Sequence, residues 1–205
     1  TGIVRTIPQS KNRVIRGILK VVNAIISIYV EVFRGTPMMV QSMVIFWGYA
    51  FMNNGNTLPL IPAGIFIVSI NTGAYMAEIV RGGIISIDKG QFDGAYSIGM
   101  NHFQTMINVI VPQTMRNILP AISNEFVINI KDTSVLNVIG VTELYFFTAK
   151  ISKMTWAIFE TYVVACVIYF ILTFTITRLL KLAERKIDGP ASYTINEMPA
   201  AAEEG

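Results

Sequence analysis

One cysteine and one histidine in 205 residues leave almost nothing from which to build a disulfide framework or a metal centre. Cys166 has no second thiol to pair with. It stands in an apolar run, where a buried structural thiol is expected. His102 has no other histidine or cysteine near it, so no zinc site is expected. Charge is scarce as well, at 14% of residues against about 25% in an ordinary soluble domain. The net charge is only +3, and the basic residues fall in short clusters between apolar stretches. Nothing here forms the continuous basic face of a nucleic-acid binder. A Gly-x-x-x-x-Gly-Lys-Ser/Thr phosphate loop is missing, so ATP hydrolysis is not expected on this chain. The opening residues are not expected to act as a secretory signal peptide. The chain opens Thr1-Gly2-Ile3-Val4-Arg5 without an initiator methionine, and an upstream segment is expected to be missing.

What the chain does have is apolar length. Hydrophobic residues make up 53% and mean hydropathy is +0.54. A membrane-spanning helix needs about 20 mainly apolar residues. Four stretches qualify: Pro37 to Met52 (with the amphipathic run Val21 to Phe33 as a backward extension), Leu60 to Val80, Ile118 to Val141 and Trp156 to Leu180. Asn53-Asn54-Gly55-Asn56 is a tight turn. The expected fold class is an all-α polytopic helical bundle. One membrane domain covers 1–186, and a Gly-, Pro-, Ala- and Glu-containing tail at 187–205 is expected to be disordered.

The positive charges orient that bundle. Arg5, Lys11, Arg13, Arg16, Lys20 and Arg34 precede or flank the first span. Arg81, Lys89 and Arg116 fall in the middle loop, about 81–117. Arg178, Lys181, Arg185 and Lys186 follow the fourth span. If these are cytoplasmic, only Lys150 and Lys153 are outside, and Lys131 lies within the third span.

The middle loop is too polar to span and too patterned to be disordered. Phe92, Ala95, Tyr96 and Gly99 recur at helical spacing. Gly99 suits a left-handed helix end. Asn101 can cap a second helix from His102 to Val111, which Pro112 then interrupts. Read from period alone, this is either an amphipathic hairpin lying on the membrane or a device presented to the cytoplasm.

Gly90-Gln91-Phe92-Asp93-Gly94-Ala95-Tyr96-Ser97-Ile98-Gly99, with Val109-Ile110-Val111-Pro112 beyond, resembles the EAA loop of binding-protein-dependent importers. Asp93-Gly94-Ala95 stands for Glu-Ala-Ala, Gly99 for the glycine, and the last four residues for Ile-x-Leu-Pro. Asp93 is one methylene shorter than Glu, and Gly94 weakens an exposed helix by about 0.8–1 kcal/mol against Ala. Phe33-Arg34-Gly35-Thr36-Pro37 with Gln41, Ala74-Tyr75-Met76-Ala77-Glu78-Ile79-Val80-Arg81-Gly82-Gly83-Ile84, and Lys131-Asp132-Thr133-Ser134-Val135 resemble three further elements of the polar amino acid permeases. The resemblance runs from Arg5 to about Arg185. It implies the type I ABC importer permease (MetI-like) fold, with a first transmembrane helix absent from this chain. It also implies a multi-pass protein of the bacterial inner membrane. The partners implied are ABC ATPase subunits that carry ATP and Mg, a second permease copy or a homologous permease, a substrate-binding protein, membrane lipid and a polar amino acid. The loop would be the helix that docks in the ATPase.

Polar groups inside a bilayer are expensive, about 2.5–3.5 kcal/mol for a mid-helix charge on insertion scales. Asn71, Tyr75 and Glu78 share a face of the second span, with Thr72 beside them. Lys131, Asp132, Thr133, Ser134 and Asn137 cluster in the third. These are the candidate substrate path. Each has a plainer reading. Glu78 can pair with Arg81, Lys131 with Asp132, and Asn71 and Thr72 with a neighbouring helix. Arg34 can serve as an interfacial anchor, and Glu143 as loop, cap or gate. Lys131 together with acidic groups would suit a zwitterion. The rival class is a membrane channel or scaffold subunit without ATPase coupling.

Overall fold

The protein was described from a computed structural model covering residues 13–188. Eight α-helices follow one another: α1 (Arg13–Gly35), α2 (Met38–Met52), α3 (Leu60–Ile85), α4 (Lys89–Ser97), α5 (His102–Thr105), α6 (Val111–Asp132), α7 (Leu144–Thr155) and α8 (Ile158–Asp188). A π-helical turn (Met106–Ile110) joins α5 to α6, and a 3-10 segment (Thr133–Ile139) continues α6. Among the described residues there is no strand. Thr1 to Arg5 and the tail from residue 189 onward lie outside them, whereas Ile187 and Asp188 still belong to α8.

The four expected spans are partly redrawn. α3 and α8 are each long and apolar enough to cross a membrane. The third is a broken unit: the helix through Ile139 meets α7 at 56°. α2 is apolar but has only 15 residues, short of a full crossing. Its backward extension is a separate helix, because Pro37 cannot continue α1 and starts α2 instead. α7 occupies the stretch read as an outer loop.

Pro112 does not interrupt the second loop helix. The backbone widens just before it, and the Val111 N–H reaches back five residues to the Met106 carbonyl. That π turn absorbs the missing proline donor, so helix runs on from His102 to Asp132. Cys166 is exposed and not buried, because its face of α8 packs against no other described helix.

α3 packs against α1, α2 and α6 and is lined with small residues. Ala63, Gly64, Ala74, Ala77 and Gly83 are buried along it. Small residues let helix backbones approach where lipid gives no hydrophobic drive for association. At one end Phe46, Ala63, Ile67, Leu136, Ile139 and Val141 form one cluster. At the other, Ile84, Ile87, Met106 and Ile110 seat the loop hairpin under α3.

The tightest approach is at Gly83, where a Cβ would lie 2.1 Å from Ile118 Cγ2 and 3.1 Å from Thr114 Cγ2. Gly83→Val should therefore force α3 and α6 apart and lower stability by about 1–3 kcal/mol. Gly82→Ala, whose Cβ would meet nothing within 4 Å, should be neutral or slightly stabilising. Thermal unfolding of the two purified variants checks the contrast.

Candidate translocation path and docking hairpin

The path residues begin at the break between α1 and α2. The end of α1 leaves carbonyls without helical partners. The Thr36 hydroxyl donates to the Val32 carbonyl at 2.7 Å. Gln41, one turn into α2, folds its amide back. Nε2 donates to the Phe33 carbonyl at 2.9 Å, the Thr36 carbonyl at 2.9 Å and Thr36 Oγ1 at 2.8 Å. Its Oε1 accepts from Asn71 Nδ2 of α3 at 2.9 Å. Gln41 and Asn71 are only 8% and 7% exposed. Tyr29 adds a second tie, donating to the Ile70 carbonyl at 2.5 Å. Asn71 therefore sits in a three-helix joint, and the interhelical reading of its side chain holds in this structure.

Arg34, just before the break, lies over the Tyr75 ring at 5.7 Å and 3.9 Å from Glu78 Oε1. Arg81 reaches the same oxygen through Nε at 3.0 Å and also through Nη2. The structure thus gathers Tyr75 and Glu78 with two arginines on the side of α3 that faces α1. Thr72 points elsewhere and donates to Asn129 Oδ1 of α6 at 2.9 Å. Asn71, Tyr75 and Glu78 thus keep the expected common face, while Thr72 beside them serves α6.

Lys131 and Asp132 end α6, exposed and without an ion pair between them. Lys131 falls in the last turn, where a cation suits the helix dipole. Thr133 Oγ1 donates to the Ile130 carbonyl at 2.9 Å. Ser134 and Asn137 are half-buried in the 3-10 segment. A cavity of about 470 Å³ opens between that segment and the start of α3, with Ser69, Thr133 and Glu143 among its lining. Glu143 caps α7, accepting from Tyr145 N and Phe146 N at 2.7 Å each and from Tyr169 Oη at 2.9 Å.

The loop is a compact hairpin. Asp88 caps α4 by accepting from Gly90 N at 2.7 Å. α4 ends in a Schellman motif. Gly99 takes φ +85°, its N–H bonds to the Tyr96 carbonyl at 3.0 Å, and Met100 N bonds to the Ala95 carbonyl at 3.1 Å. Asn101 and Gln104 then form a reciprocal capping box, both bonds 2.9 Å. Gln91 accepts from Gln113 Nε2 at 3.1 Å, tying α4 to α6. The expected helical face is divided: Ala95 is buried and Phe92 packs inward, while Tyr96 and Gly99 are exposed. Asp93 and Gly94 face outward too. Beside them Ile98 and Phe103 are 74% and 72% exposed, a pair that motif matching did not single out.

Two more residues escaped the sequence reading: Asn129, the partner of Thr72, and Glu125, which is 8% exposed inside α6. A carboxylate within a membrane helix was the available signal for Glu125. For the joint, Gln41→Leu should cut the tie between α2 and α3, leaving Asn71 only its 3.4 Å bond to the Phe33 carbonyl and the Thr36 carbonyl without its side-chain donor, and cost about 2–3 kcal/mol. Gln41→Asn, too short to reach, should not rescue. Melting of the solubilised protein measures both.

A family model described as "Binding-protein-dependent transport system inner membrane component" matches residues 14–189. The L-cystine transport system permease protein TcyB of Bacillus subtilis (strain 168) is 39% identical over 165 residues, 80% of this chain and 70% of that protein. The glutamine transport system permease protein GlnP of Escherichia coli (strain K12) is 34% identical over 167 residues, 82% and 76% of the two. Among solved structures, an amino acid ABC transporter aligns at TM-score 0.74 with 38% identity, covering 90% of this chain and 83% of that one. The MetNI methionine transporter aligns at TM-score 0.66 over 91% and 83%, and at 16% identity this supports the fold alone. The chain belongs to the family of binding-protein-dependent transport-system inner membrane components, multi-pass proteins of the bacterial inner membrane.

Proposed function

We propose that this chain is the permease subunit of an ABC importer for a polar amino acid, coupled to a separate ATPase by the α4–α5 hairpin. The single observation that best supports coupling is the hairpin's construction. A Schellman end and a capping box back to back hold a rigid corner, with Tyr96, Ile98 and Phe103 turned outward. Apolar side chains this exposed beside a polar turn mark a protein-contact surface. Asp93 and Gly94 lie on the same outer side. The cargo class is supported by relatives named for L-cystine and glutamine transport and by the amino acid transporter of similar structure. Being a permease subunit, the chain is not itself an enzyme; ATP and Mg belong to the partner.

In this reading two permease chains, identical or homologous, form the path within membrane lipid, and a substrate-binding protein delivers cargo from outside. ATP closes the ATPase pair, the docked hairpins move, and the helix bundles change facing. Asn71, Thr72, Tyr75, Glu78 and the Lys131 to Ser134 stretch belong to the path or brace it.

Ile98→Asp and Phe103→Asp change exposed positions, so folding should survive. Retention of the ATPase subunit in a pull-down should fall by about tenfold or more. Undiminished retention would remove these two side chains from the docking surface, and an unmodified chain that retains no ATPase subunit would favour the rival channel or scaffold. Lys131→Ala and Glu78→Gln, with assembly verified, should each lower uptake and substrate-stimulated ATPase; normal transport by both would remove these residues from the path.

A further inference from the structure

Glu125 is the one carboxylate in the α3–α6 seam that is nearly enclosed by the protein yet meets no cation. It is 8% exposed, and no hydrogen bond or ion pair among the described residues engages it. Glu78 is unlike it, since Arg34 and Arg81 both reach its carboxylate. On α6, Asn129 follows Glu125 at i+4 and Asp132 at i+7, so the three lie on one face. Two contacts show that this face looks at α3: Asn129 bonds Thr72, and Ile118 abuts Gly83. Counting along the antiparallel pair between these points sets Glu125 level with Met76, about one turn from Thr72.

Two like charges on one face of a membrane helix, one almost buried, favour a cation held between or beside them. Structural pairing would require a basic side chain on the facing helix, and Thr72, Met76 and Gly83 supply none. We propose that Glu125 receives the ammonium group of the amino acid in transit, with the Thr72–Asn129 pair beside it and Asp132 further along. This rests on the amino-acid reading above and changes its chemistry. The ammonium contact falls on the side of α3 away from Glu78, whose charge is already met.

The test is a cycle between protein and ligand. The complex of this chain with its ATPase, free of binding protein, is titrated with L-glutamine and with glutaramic acid, which lacks only the α-amino group. The unmodified protein should prefer L-glutamine by about tenfold or more. Glu125→Gln should bind the two alike, and Glu125→Asp should recover part of the preference. Thermal unfolding without ligand should hardly change. The assignment is overturned if Glu125→Gln keeps the preference, or weakens both ligands equally while lowering the melting temperature. If the unmodified complex binds none of the polar amino acids, L-glutamine and L-cystine included, the amino-acid reading itself fails, and this assignment with it.

Discussion

In a bilayer the backbone has no water to turn to, so every interrupted helix must find partners for its own carbonyls. The break at Pro37 is where this chain meets that demand most visibly. One primary amide, that of Gln41, closes the end of α1 with its nitrogen and binds α3 with its oxygen. Three helices are thereby fixed at one point. The placement of Arg34 over Tyr75 and against Glu78 follows from it, since Arg34 is carried on the last turn of α1. The run Phe33 to Gln41 is thus a built corner whose residues answer one another.

α3 divides the polar groups of the protein between two sides. Towards α1 it presents Asn71, Tyr75 and Glu78, all engaged. Towards α6 it presents Thr72 and the bare backbone at Gly83. The first side is charged but balanced. The second is close-packed, and an unbalanced carboxylate faces it. A helical period of 3.6 residues places Asn71 and Thr72 about 100° apart, which is enough for neighbours in sequence to serve different interfaces.

The parts legible in the sequence are the local ones. The left-handed Gly99, the Asn101 cap and the span at α3 each depend on a few consecutive residues, and each was foreseen. Pro112 departs from its expected role because a proline's effect depends on the hydrogen-bond pattern before it, and a π turn is invisible to a 3.6-residue template. Cys166 is exposed against expectation because apolar neighbours signify burial only where the surroundings are water. The pairing of Gln41 with Asn71, and of Arg34 with Glu78, joins residues far apart in the chain, so no period reveals it. Ile98 and Phe103 lie where α4 ends and α5 begins, and no single helical face contains both.

The π turn before Pro112 has a mechanical result. By widening once, the backbone accommodates Pro112 without ending the helix, which continues from His102 to Asp132, about 45 Å at 1.5 Å per residue. The α4–α5 corner and the Lys131–Asp132 end are therefore opposite tips of one long helical unit. A tilt imposed at one tip is carried towards the other through continuous helix, and any bending is concentrated at the wide turn and at Pro120.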